Sequence, residues 1–130
     1  MAFVKFNSNP DRSSVGDCTI RAISKIMGDS WDDTYIGLAL QGYELKDMPS
    51  SNHVWGAYLK EHGFKRFAIP NTCPDCYTIK EFTQDYSDGE YLLATGNHVV
   101  AVINGNYFDT WDSGDEVPVF YWVKEDKDGV

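Results

Sequence analysis

Basic residues are scarce. Lysine and arginine number 11 against 20 aspartates and glutamates, a formal charge of −9. Phosphate-driven nucleic-acid binding needs a basic face, and none is visible, which argues against nucleic acid as a partner. Attraction to anionic lipid is disfavoured for the same reason. Long apolar runs are also missing, and no stretch approaches the ~20 residues of a membrane span. Residues 1–6 alternate apolar and polar with no signal-peptide core. Cysteines number 3, an odd count that argues against a secreted disulfide framework. There is no glycine-rich phosphate loop; the glycines are scattered at turns. The expectation is a cytoplasmic monomer without membrane or nucleic-acid partners.

What is present is enough for a core. Hydrophobic residues make up 42% and aromatics 15% of the 130 residues, which excludes wholesale disorder. A chain of this length reads as one domain, 1–130, that buries roughly two thirds of its unfolded surface on folding.

Hydrophobic spacing predicts a short strand over 3–6, then a polar loop over 7–16. Ile20, Ile23, Ile26 and Met27 form one stripe of a helix over 18–27, with Asp17 as N-cap and Gly28 as C-cap. A second helix starts at Ser30, where Ser30-Trp31-Asp32-Asp33 resembles a capping box, and runs to about Leu40. A third follows Pro49, capped by Ser50 or Ser51 and ended by Gly63. Trp31, Trp55 and Tyr58 read as core. A strand over 65–69, a loop over 70–77 and a helix over 79–85 follow. Strands are expected over 91–95, 98–103, 107–111 and 117–123, and residues 124–130 read as a frayed charged tail. Helices first and antiparallel strands last is α+β order, with the helical part packed on a C-terminal antiparallel sheet.

Three residues carry the chemistry. Cys18 in the first turn of a helix meets the positive end of the helix dipole and unpaired N–H groups, which favour thiolate and can hold an oxyanion. His98 begins the most apolar strand, an odd place for histidine unless it has a partner or a task. Asn104-Gly105 is a tight-turn signal. With those two residues central, Ile103 faces Asn106, Val102 faces Tyr107, Val100 faces Asp109 and His98 faces Trp111. That register puts His98, Asp109 and Trp111 on one face. A turn one residue longer would put Asp112 opposite His98 instead. Cys, His and Asp in this order fit nucleophile, base and orienter.

Gly16-Asp17-Cys18-Thr19 before an apolar helix, with His98-Val99-Val100-Ala101-Val102-Ile103-Asn104-Gly105 later, resembles the papain-like cysteine peptidase superfamily. The likeness is nearest to its small bacterial branches, the NlpC-type cell-wall peptidases and the bacteriocin-leader peptidases. The same wording, with Tyr107-Phe108-Asp109-Thr110-Trp111, is similar to small proteins of phages and gut bacteria. The resemblance covers about 12 residues around Cys18 and about 18 around His98. It implies a papain-like fold, cleavage of an amide or isopeptide bond in a peptide or protein substrate, and no cofactor. Papain has Asn-Ser-Trp where this chain has Asp109-Thr110-Trp111; there the Asn orients the His and the Trp shields their hydrogen bond. Papain also places a Gln six residues before its Cys to complete the oxyanion hole. Here that position is Arg12, and no Gln precedes Cys18. Asn7, Asn9, Arg12 and Ser13 are the alternative donors.

Two rivals use the same residues: an acyltransferase of transglutaminase type, and an inactive papain-like module that binds a host protein. A third centres on Cys73 and Cys76, a CxxC that is a weak zinc or redox candidate and reads more simply as a local disulfide or two bystander thiols. His53 and His62 are out of phase on their helix and make no metal pair.

Overall fold

A computed structural model describes residues 2–12 and 15–124. Among them are ten elements: β1 (Phe3–Lys5), α1 (Cys18–Met27), α2 (Trp31–Leu45), α3 (Asn52–Glu61), β2 (Phe64–Ala68), α4 (Ile79–Asp85), β3 (Glu90–Ala94), β4 (Val99–Ile103), β5 (Asn106–Asp109) and β6 (Phe120–Lys124). Ser13 and residues 125–130 of the expected tail lie outside the described residues, while Lys124 still belongs to β6.

The six strands form one sheet in the order β1-β5-β4-β3-β6-β2. The architecture is α+β, but the sheet is mixed rather than antiparallel. β1 pairs with β5 in parallel, Phe3 opposite Tyr107 and Lys5 opposite Asp109. Every other pairing is antiparallel. A three-residue strand carries too little pattern to declare its partner, and this one lies far in sequence from β5. The Asn104-Gly105 turn has both residues at positive φ, 49° and 79°. That is the geometry of a two-residue hairpin turn whose twist matches its strands. It sets Ile103 opposite Asn106 and Val102 opposite Tyr107, the register expected from the sequence.

Alternation along the strands divides the core. Ala101 and Leu92 join a cluster with Ile23 and Ala22 of α1, Leu38 of α2 and Trp55 and Leu59 of α3. Val100, Val102 and Leu93 join a second cluster with Ile79 and Phe82 of α4. Helices therefore cover both faces of the sheet, the three long ones on one side and α4 on the other. β4 buries four of its five residues, as a central strand covered on both faces must.

α1 spans the predicted residues, and Gly28 closes it at φ 70°. Its polar side is buried as well as its apolar stripe: Arg21 and Ser24 are enclosed, and Ser24 Oγ meets Ser8 Oγ at 2.8 Å. The loop before the helix covers that side. α2 runs past the expected Leu40 to Leu45. Gly42 inside it is needed for the exit, because a Cβ there would sit 2.6 Å from the Asp47 carbonyl oxygen. One face of α2 leaves Ile36, Leu40 and Tyr43 exposed. Trp55 and Tyr58 are buried as expected, whereas Trp31 is only half-buried and stacks on Tyr35 at 5.2 Å. No described helix is long and apolar enough to cross a membrane.

Candidate active site

Two elements that meet at the sheet's end assemble the cluster. α1 delivers Cys18 at its first residue, and the β4–β5 hairpin delivers His98 and Asp109. His98 Nε2 lies 2.6 Å from Asp109 Oδ2. The Cys18 thiol and the His98 imidazole line the same cleft and act on each other's ionisation. With Nε2 engaged by Asp109, Nδ1 is the ring nitrogen left for the thiol. Trp111 covers the imidazole, its ring centroid 5.1 Å away. Asp109 is almost fully enclosed and satisfied on every side. Ser113 Oγ donates to Oδ2 at 2.7 Å, the Thr110 N–H donates to Oδ1 at 2.8 Å, and Arg21 stands 3.5 Å from Oδ1.

The electrostatics follow from these partners. Burial alone would push the His98 imidazole down. Hydrogen bonds to Asp109 and Cys18, with their charges, overcome it and raise His98 to about 9. Burial likewise pushes the Cys18 thiol up. The bond to His98, the Val99 N–H, and the positive charges of His98 and Arg21 outweigh it, leaving the thiol below its ordinary 9.0. Asp109 is also pushed up by burial but held below 3.8 by His98, Ser113 and the Thr110 N–H. The arrangement therefore shifts Cys18 toward thiolate, His98 toward imidazolium and Asp109 toward carboxylate.

Asp17 departs from the sequence expectation. It occupies the N-cap position of α1, but its side chain caps nothing. Arg21, one turn on, takes the carboxylate in a buried ion pair, Trp31 Nε1 donates to it at 2.9 Å and Asn9 Nδ2 at 3.4 Å. A buried arginine with two carboxylates in reach, Asp17 and Asp109, outcompetes the helix N–H groups for Asp17. The first turn at Cys18 is thus left without a side-chain cap.

A cleft of about 400 Å³ opens over the thiol, lined by Arg12, Val15, Gly16, Asn97 and Trp111 among others. Of the sequence-named supports, Asn7, Arg12 and Trp111 border this cleft. Asn9 does not: its amide is committed to Asp17 and to the Asp11 N–H. Asp112, the reserve third member, turns to the Tyr107 hydroxyl at 2.5 Å and the Gly114 N–H at 3.0 Å instead of to His98.

Cys73 and Cys76 form a disulfide with each other, the local pairing that the sequence suggests, and Cys18 is the free cysteine. Among the described residues no group of three His, Cys, Asp or Glu is placed to hold a metal ion. Sequence reasoning missed Arg21 and Ser113. Arg21 was legible in principle, as a charge at Cys18 plus three on a helix otherwise apolar at that end. Ser113 carries no signal until the chain after β5 is known to fold back on Asp109. No family model matches the chain, and neither a curated protein nor a solved structure matches it.

Proposed function

We propose that the chain is a thiol hydrolase of papain-like type that cleaves an amide bond in a peptide or protein. The observation that carries the reading is the cluster of Cys18 with the hydrogen-bonded His98–Asp109 pair at the uncapped start of α1. A structural cysteine in an apolar core has its pKa raised, whereas this one is lowered. A buried His–Asp pair that also reaches a thiol fits nucleophile, acid–base group and orienter.

The Cys18 thiolate attacks the substrate carbonyl, forming an S–C bond and an oxyanion. N–H groups at the start of α1 face that charge, with Arg12 and Asn7 at the cleft wall as further donors. The oxyanion collapses, the C–N bond breaks, and the His98 imidazolium gives its proton to the leaving amine. A water, deprotonated by His98, then attacks the thioester. The acid is released and the thiol restored. Asp109 keeps the imidazole oriented throughout.

The test is digestion of a mixed peptide library, read as new termini by mass spectrometry, with an added amine as a parallel arm. Termini formed by the wild type and absent with Cys18→Ala support the reading. Amine-capped products in their place make the protein an acyltransferase. Equal yields with Cys18→Ala, or none with either protein, overturn hydrolysis.

A further inference from the structure

The far edge of the sheet, formed by β6 and β2, carries a second hollow under α4. It has a volume of about 540 Å³ and is lined by Ile69, Tyr77, Phe82, Asp85, Tyr86 and Tyr121 among others. None of its lining residues borders the Cys18 cleft. The size suits a small ligand or one long side chain.

Its walls are aromatic. Phe82 and Tyr86 stack at 4.3 Å, and the Tyr121 ring lies 5.4 Å from Phe82 and 5.5 Å from Tyr86. The one charged residue lining it is Asp85, which accepts from the Tyr77 hydroxyl at 2.6 Å. The charges acting on the surrounding tyrosines are also carboxylates, Asp85 and Glu81 at Tyr77 and Asp88 at Tyr91. One cation already rests on the outer side of this aromatic surface: Lys65 Nζ is 5.5 Å from the Phe67 ring, which stacks on Tyr121 at 5.2 Å.

The geometry points to a binding site for a compact organic cation, an alkylammonium or guanidinium group, set among the rings of Tyr77, Tyr86 and Tyr121 with Asp85 as counter-charge. Electron-rich ring faces attract cations, and partial enclosure strengthens that attraction. An anion would meet Asp85 and its acidic neighbours. A neutral apolar group could use the rings but would leave the carboxylate field unmatched. The cation has two sources, a free amine or the Lys or Arg side chain of a peptide. The site stands apart from the Cys18 cluster and does not rest on the hydrolase reading.

The experiment titrates the full chain with choline and with its neutral isostere 3,3-dimethylbutan-1-ol, following the ring signals of Tyr77, Tyr86 and Tyr121 by NMR. Choline should saturate these shifts at a roughly tenfold lower concentration than the alcohol. Asp85→Asn, a change at an exposed position, should weaken choline and leave the alcohol unchanged. A short neutral-capped lysine peptide is the second arm. If it binds tighter than choline, the cation is chain-borne; if weaker, it is a free ammonium; both support the site. Equal affinity for choline and the alcohol, no saturation, or choline binding unmoved by Asp85→Asn overturns it. Cys18→Ala should leave every titration unchanged, which separates this test from that of hydrolysis.

Discussion

Replacing Asp109 by Asn tests the site without any substrate. The carboxylate accepts from His98, Ser113 and the Thr110 N–H and lies near Arg21. The amide keeps the shape but loses the charge and turns one acceptor into a donor. In the wild type His98 is raised from 6.5 to about 9, a span worth roughly 3 kcal/mol in favour of imidazolium. Asp109 and Cys18 share that preference. Losing about half of it lowers the thiolate–imidazolium population roughly tenfold near neutral pH. The assay is the rate of iodoacetamide alkylation against pH, read at each cysteine. Only Cys18 is free to react, so one label per chain is expected. In the wild type the low-pH limb should lie below 9.0. In Asp109→Asn it should move up by about one pH unit, and the change tied to His98 should move from about 9 back toward 6.5. In His98→Ala the low-pH limb should vanish. An unchanged profile in Asp109→Asn would refute the assigned role of Asp109. A wild-type Cys18 inert up to about pH 8.5, close to the ordinary thiol value, would refute the ion pair itself.

Other outcomes follow from the same contacts. Arg21→Gln leaves Asp17 without its buried counter-charge and takes one of two from Asp109, and should cost about 3 kcal/mol in urea unfolding; adding Asp17→Asn should recover part of the loss. Ser113→Ala removes one donor from Asp109 and should cost about 1 kcal/mol at neutral pH. Because Asp109 is held below its unfolded 3.8, its contribution is present above that value and lost as pH falls through the folded one. Ser113→Ala raises the folded value, so its acid-unfolding midpoint should move to higher pH. Asp112→Ala should leave the Cys18 alkylation profile unchanged while Asp109→Ala shifts it; the reverse order would contradict the hairpin register.

The site's skeleton was legible because short-range rules decide it. A cysteine opening an amphipathic helix and a two-residue turn fix where Cys18 and Asp109 stand, and period-two alternation does the rest. The surroundings were hidden because longer-range competition decides them. Asp17 follows the capping rule by position, but a buried arginine claims its side chain. Gly42 looks like a helix breaker until the returning chain at Asp47 is seen to need its missing Cβ. The parallel partner of β1 has no local signature, since it depends on a strand a hundred residues away. Ser113 acts only once Gly114 lets the chain press close to Tyr107, where a Cβ would lie 2.4 Å from the hydroxyl.

The pairing of β1 with β5 bears on when the site comes into being. Phe3 to Lys5 leave the ribosome long before their partners Tyr107 to Asp109. Cys18 and His98 are likewise separated by 98 minus 18, or 80, positions. Contacts across such separations form late, and chains are made from the N-terminus at about 5–20 residues per second. Through most of translation Cys18 is therefore an ordinary thiol with no imidazole beside it. Reactivity switches on only when the last third of the chain has folded back and β1 has closed its edge. Prematurely terminated products carry the cysteine without His98, so aborted synthesis yields fragments whose thiol is ordinary.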